Sequence, residues 1–432
     1  MSHAPGDANG PLATLPHYQA HAPERSADSV WKHGPEGLAP EAVAAFLCHA
    51  LAPGESLFRG VRRVPAKVPR VQRAAGATLS TVETDRLAEA LYSSVFGTVG
   101  RHVLTGALDV SLSGGVDSAS LCALAAHHAP GLARAWTMKV HFADATERRN
   151  ARTMARLARV ELVDVPIPDA VLPDLFEAAV LSNETALINA RAVASFAFYA
   201  AARRLGASTM LSGAGADEVL LGNPEALTGA RARVEEDRRL AREVLRPGAV
   251  DNLGTSPWSL SAGDADAPEE VRHAAWVLRE LVLPPELRGA RAHGLTVRTP
   301  YLDPSFADVA LALPESVLVR DGTGKWLFRH AVRGLVPDKV RLARKTPRYA
   351  QTALSSPVRE RWLELYRAWL APSRLEPLEV IAPDAVLTAL ERYTRLAPDA
   401  PEAGGMDRLL MRLVSLAMLH AHCLDRTPCP ES

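Results

Sequence analysis

The sequence predicts an α/β protein: a mostly parallel, twisted sheet with helices on both faces, followed by a mainly helical C-terminal half. Two observations predict it. Between residues 86 and 223, short apolar and β-branched runs alternate with helical segments, the pattern of strands joined by helical crossovers. Beyond residue 223 the strand signal fades into helical periodicity. Ligands of such sheets sit beyond the carboxyl ends of the strands, so glycine-rich turns that follow strands are where chemistry is sought.

Taken in order, residues 1–35 are rich in Pro, Ala, Gly, Ser and His without apolar periodicity and read as a mobile tail. Residues 36–85 form a short N-terminal segment, with a helix in PEAVAAFLCHAL (40–51) and edge strand or loop in LFRGVRRVPAKVPRV (57–71). The remaining chain, 86–432, is one domain with a sheet part (86–223) and a helical part (224–432). Its strands are ALDVSLS (107–113), ARAWTMKVHF (133–142), VELVDVPI (160–167) and ASTMLSG (207–213). Helices are expected from Asp117 to about Ala129, over 145–158, and as one long segment over about 184–205. The Gly, Asp, Ser and Pro-rich stretch at about 249–268 reads as an exposed loop.

Composition narrows the function classes. The formal charge is zero and 47% of residues are hydrophobic, so nothing draws the chain to nucleic acid or an anionic membrane. No apolar run reaches the ~20 residues of a membrane span, and the N-terminus lacks a secretory signal, which places the protein in the cytoplasm. Cys48, Cys122, Cys423 and Cys429 lack zinc-like spacing and are too few for a disulfide framework. The cations are mostly arginine. Three of the few lysines, Lys325, Lys339 and Lys345, fall in one short stretch.

The sharpest feature is SLSGGVDSAS (111–120), where an apolar strand runs directly into a glycine pair and then a helix. Gly114 and Gly115 let the backbone approach an anion, and the amides at the helix start point outward with the positive end of its dipole. Ser113 and Ser118 can add hydroxyl donors. Asp117 would repel a bare phosphate and makes sense where magnesium bridges it to the phosphates. A capped strand-to-helix turn would account for Gly-Gly alone, but not for the whole string.

That SGGxDS string resembles the pyrophosphate loop of the N-type ATP pyrophosphatases. Three further motifs follow: LSGAGADEVLLGN (211–223), VRTPYLDPSFADVALALP (297–314) and GKWLFRHAVRGLVPDKVRLARKTP (324–347). Their order and spacing are similar to the synthetase domain of the asparagine synthetase family, which includes the β-lactam synthetases and lasso-peptide cyclases. The resemblance covers about residues 40 to 365. It implies an adenine nucleotide α-hydrolase-like fold and an enzyme that consumes ATP, with Mg2+, to join a small-molecule or peptide carboxylate to an amine or ammonia.

By the same resemblance Ser113, Gly114, Gly115, Asp117 and Ser118 bind pyrophosphate. Leu112, Met138, Ser212 and Gly213 hold the adenosine part, Asp117 and Asp217 bind magnesium, and Lys345 stabilises the transition state. A compact ammonium where the chain otherwise chooses arginine agrees with that role. Lys325 and Arg329, one turn apart, suit either phosphate or a solvated basic face. Arg298 and Asp303 read as an ion pair holding the domain. Phe196 and Tyr199 follow the apolar face of their helix and read as core. His127 and His128 end a helix, where imidazoles cap carbonyls.

The chain also departs from the family pattern. The residues ahead of PEAVAAFL are too few for a glutaminase domain, and Ser2 rather than a cysteine follows Met1. Glutamine hydrolysis is therefore not expected, and the nitrogen comes from an amine or free ammonia. Ala214 and Thr296 stand where asparagine synthetases carry acidic residues, which leaves the base that deprotonates the amine open, with Glu218 or a substrate group as candidates. The preferred context is amide or lactam formation in natural-product, including antibiotic, biosynthesis, with a separate carrier or peptide partner where the substrate is carried. The alternatives are an ammonia-dependent asparagine synthetase and a catalytically inactive nucleotide-binding protein.

Overall fold

The computed structural model describes residues 15, 17–20, 26–64, 79–142, 144–250, 256–259, 268–343 and 352–425. Two sheets organise it. The larger has five strands in the order β6-β5-β4-β7-β8, and every neighbouring pair is parallel. These are β4 (Asp109–Ser111), β5 (Arg134–Lys139), β6 (Glu161–Pro166), β7 (Thr209–Leu211) and β8 (Thr296–Arg298). From β4 the chain winds outward through β5 and β6, then crosses to the other side for β7 and β8. The switch point lies between β4 and β7, where the crevice of a doubly wound sheet opens.

The crossovers are α3 (Val116–His128), α4 (Ala145–Ala158), and the pair α5 (Leu172–Asn183) and α6 (Ala190–Arg204). α2 (Thr81–Leu104) precedes β4 and begins with a capping box between Ser80 and Glu83. α3 has nine buried residues with polar ones among them, as suits a helix at the centre of a layered core. The single long helix expected over 184–205 is instead α6, which follows α5 across a turn. Glu184 takes a left-handed conformation there and the Asn189 side chain accepts the Arg191 N–H, so one helix is ended and another capped.

Three further expectations are corrected. Within the stretch read as a mobile tail, β1 (His17–Ala20) pairs antiparallel with β2 (Ser26–Ala27) and with β3 (Val61–Val64). Tyr18 and Val30 are buried there, and Arg288 lies over the Tyr18 ring, so packing of single side chains orders a segment that has no periodicity of its own. Second, the described part of the presumed exposed loop, 256–259, buries Trp258 completely and bonds its Nε1 to Glu269. Third, β8 lies in the half expected to be helical and completes the sheet of the other half. At three residues it is too short for an alternation signal.

The C-terminal half is built on α14 (Ala403–Asp425), most of whose residues are buried. Packed against it are α1 (Pro40–Leu47), α8 (Ala226–Val244), α12 (Arg359–Trp369) and α13 (Pro383–Thr394). Among the described residues no helix is long and apolar enough to cross a membrane. Cys48, Cys122 and Cys423 are buried, burial pushing the Cys122 thiol up to about 12, while Cys429 lies outside the described residues.

Candidate functional site

Both glycine turns leave the sheet at its switch point. SGGVDS follows β4 and SGAGAD follows β7, and Gly213 packs directly on Asp117 and Ser118. The first turn is shaped by its neighbours. Gly114 has φ of +92°, and a Cβ there would come within 1.9 Å of the Glu147 carbonyl oxygen in α4, so glycine is required for packing as well as for an open anion site. Ser118 closes the turn from inside: its Oγ receives the Ser113 N–H at 3.1 Å and donates to the Gly115 carbonyl at 3.2 Å. Ser113 Oγ lies 3.0 Å from Ser118 Oγ, so the two hydroxyls read as phosphate donors also brace the loop.

Beyond this loop two carboxylates meet a buried cation. Lys325 Nζ lies 2.5 Å from Asp117 Oδ2 and 2.8 Å from Asp217 Oδ1, and the residue is 2% exposed. Burial works to lower the pKa of this ammonium, but the two carboxylates outweigh it and raise the pKa above the ordinary lysine value. Of the two readings open for Lys325, the solvated face is excluded. The approach is tight enough that a Cβ on Gly222 would lie 2.0 Å from Asp217 Oδ1 and 2.6 Å from Lys325 Cε.

Lys325 stands at the start of α11 (Trp326–Ala331), and Arg329 follows one turn later. The Arg329 guanidinium donates to the carbonyls of Gly324, Ala343 and Arg341. It thereby ties the chain at Ala343 back to the helix that carries Lys325. Lys345 itself lies outside the described residues, two positions beyond that tie.

The third motif supports the turn from beneath. Tyr301, fully buried, donates its hydroxyl to the Asp117 carbonyl at 2.9 Å. The ion pair expected between Arg298 and Asp303 is replaced by others: Asp303 meets Arg101 at 3.3 Å and His102 at 3.5 Å, and caps α10 (Pro304–Leu311) through the Ser305 N–H. Arg298 instead lends its carbonyl to the Ser212 N–H at 2.8 Å. At the far end of α3, His128 meets the Phe96 carbonyl at 3.0 Å, a structural contact.

Beside the first turn a cleft opens along the strand ends, of about 840 Å³ counting its open mouth. Leu112, Ser113 and Met138 line it, with Asp144 and Arg148 from the start of α4 and Arg191 from α6. Gly114, Gly115, Asp117, Ser118, Gly213 and Asp217 do not line it and form the adjoining turns. Ser212 reaches it through Glu286, a cleft residue that accepts the Ser212 hydroxyl at 2.9 Å and the Tyr199 hydroxyl at 2.6 Å. Burial and the neighbouring Glu286 push the Tyr199 phenol pKa up, so it stays a donor.

Sequence reasoning missed Glu286, and read Tyr199 as core alone. Tyr199 is 2% exposed and does pack in the core, but its hydroxyl ends on Glu286. Glu286 is carried by two runs of π-helix, Leu278–Val282 and Pro284–Arg288, which continue α9 (Glu269–Val277). Such widened turns recur at functional sites and rotate side chains off the ordinary helical face, so a helical period read from sequence misplaces Glu286.

The donor set fits a magnesium ion. Asp117 Oδ1 is buried and makes no hydrogen bond with the described residues, which leaves an acceptor to be satisfied. Among those residues no group of three or more His, Cys, Asp or Glu is placed to hold a metal. The aspartate pair alone suits an ion that keeps waters and takes its other ligands from phosphates.

The family model described as asparagine synthase matches residues 87–421. Asparagine synthetase [glutamine-hydrolyzing] 1 of Bacillus subtilis (strain 168) is 32% identical over 82 residues, which are 19% of this chain and 13% of that protein.

Proposed function

Because the chain belongs to the asparagine synthase family, we propose that it is an AMP-forming carbon–nitrogen ligase, which adenylates a substrate carboxylate and passes the acyl group to an amine or ammonia. The observation that carries this reading is the joining of SGGVDS to Asp217 and Lys325 at the switch point, beside an open cleft. The adenosine part lies in the cleft against Leu112 and Met138, with Ser212 and Gly213 beside it. The phosphates reach over the Ser113–Ser118 turn.

In the first step a carboxylate oxygen attacks the α-phosphorus of ATP, the bond to the bridging α–β oxygen breaks, and pyrophosphate leaves. The loop amides, Lys325 and Lys345 take up the charge that gathers on it. Magnesium, held by Asp117 and Asp217, would supply further charge neutralisation there. In the second step the amine nitrogen attacks the acyl carbon, AMP leaves, and the nitrogen gives up a proton. Glu286, fixed by Tyr199 and Ser212, is the cleft carboxylate to receive it, a role left open by Ala214 and Thr296.

Since no acid stands at 214 or 296, ordinary asparagine synthesis is disfavoured, and the context we favour is amide or lactam closure in natural-product biosynthesis on a free or carrier-borne substrate. The same two positions favour one rival, nucleotide binding without catalysis. The test is ATP–pyrophosphate isotope exchange with Mg2+ across a panel of carboxylic acids, aspartate included, with and without amine. Exchange that depends on one acid and disappears in Asp117→Ala supports the ligase; silence across the panel supports the rival.

A further inference from the structure

The π-helical strip and the turn between α5 and α6 have a second side. There they border another cavity, with Ile188, Phe46 and Trp276 as apolar walls and Arg63, Arg279 and Arg412 as its cations. No residue lines both this cavity and the nucleotide cleft. Its acid, Glu280, is already engaged: Arg63 grips it with two nitrogens at 2.9 and 3.2 Å, and Arg279 Nε donates to it at 3.0 Å.

That arrangement leaves donors without acceptors. Arg412 is 4% exposed, and its Nε is buried with no hydrogen-bond partner among the described residues. Arg279 is 9% exposed and uses Nε on Glu280; its two terminal nitrogens make no hydrogen bond with those residues. Buried guanidinium donors in a cavity are satisfied by an anion, and the planar fork of arginine matches a carboxylate. The walls choose between anions. Phe46 and Ile188 offer nothing to the oxygens of inorganic phosphate and, with the face of the Trp276 ring, would cover an apolar body.

We infer that this cavity is a binding site for a small apolar carboxylate, separate from the nucleotide cleft. It does not depend on the adenylation reading. The carboxylate meets Arg279 and Arg412, and the apolar body lies against Trp276.

Titration calorimetry with the whole chain tests this, with phenylacetate as probe and phenylacetamide and inorganic phosphate as comparisons. Phenylacetate is expected to bind at least about tenfold more tightly than either, the scale of one hydrogen-bonded charge. Arg279→Gln should weaken it about tenfold, and Arg63 still holds Glu280 in that variant. Trp276→Ala, which removes a wall without touching an ion pair, should also weaken it. Saturating α,β-methylene-ATP, which cannot release pyrophosphate, should leave binding to the wild-type chain unchanged, which separates this site from the cleft. The inference is overturned by absence of binding, by equal affinity for the amide or for phosphate, by displacement with that analogue, or by indifference to both cavity substitutions.

Discussion

Asp117 and Asp237 are both aspartates set among cations, one where the sheet's strands end and the other in the helical half. Around Asp237 both carboxylate oxygens are engaged. It meets His49 at 2.9 Å, Arg408 at 2.8 Å and Arg412 at 3.5 Å, and Glu236 accepts from the same Arg408 terminal nitrogen. Burial opposes its ionisation, but Arg412, His49 and Arg408 together hold it well below the usual carboxylate range. Around Asp117 the balance is reversed. Two carboxylates share the Lys325 ammonium, and one buried oxygen has no hydrogen bond among the described residues. A carboxylate with both oxygens engaged holds structure together, whereas one with an oxygen left over is set up to receive something.

The comparison breaks most plainly by removing each aspartate. Asp117→Ala should lower acid-dependent pyrophosphate exchange at least about 1,000-fold, the scale of losing a preorganised charge at the reacting centre, while the thermal midpoint changes little. Asp237→Ala should do the opposite. It strands Arg412, leaves Arg408 with Glu236 alone, and should cost about 3–5 kcal/mol of stability, with exchange per folded molecule retained. Denaturant unfolding and exchange assays on both variants decide. Equal losses of both properties in both variants would dissolve the distinction between the clusters.

A third aspartate sharpens it through pH. Asp407 is buried in α14, and its Oδ1 accepts from the Tyr366 and Tyr393 hydroxyls and the Ala353 N–H. Burial outweighs these donors and raises its pKa to about 6. A carboxyl whose folded pKa is raised contributes stability that is present below the unfolded value near 3.8 and lost as pH rises through 6. His49 does the reverse. Burial and Arg412 lower it to about 4, so its contribution is present above 6.5 and lost as pH falls through 4. The two partly cancel on acidification. Asp407→Asn keeps the accepting oxygen and removes the titration, so stability should then fall more between pH 7 and pH 4, by about 2–3 kcal/mol beyond wild type. Urea unfolding at both pH values measures it, and an unchanged difference would return Asp407 to an ordinary pKa.

These clusters also show what the sequence could reveal. The turn after β4 was legible because its requirements are local: a strand, two glycines and a helix start within ten residues. Most crossover elements were legible from period alone. Asp237 was not, because its partners His49, Arg408 and Arg412 lie about 170 to 190 residues away and bear no common motif. Lys325 was ambiguous for the same reason, since its burial depends on Asp117, 208 positions earlier. The ordered N-terminal strands were hidden because Tyr18 and Arg63 acquire meaning only against Arg288 and Glu280.

The smallest expected effect concerns Glu286, the cleft residue with least signal in the sequence. Tyr199 and Ser212 both donate to its Oε2, so Glu286→Gln, if its carbonyl takes that position, keeps both bonds and removes only the charge. If the carboxylate takes the amine proton, pyrophosphate exchange without amine should be unaffected, while amide formation falls about a hundredfold, at the lower edge of what general-base removal costs. If Glu286 serves instead to bind a ribose hydroxyl, the KM for ATP in exchange rises and amide formation falls in proportion. The split between the half-reaction and the full reaction assigns the side chain, because nucleotide binding is common to both and the proton leaves only in the second.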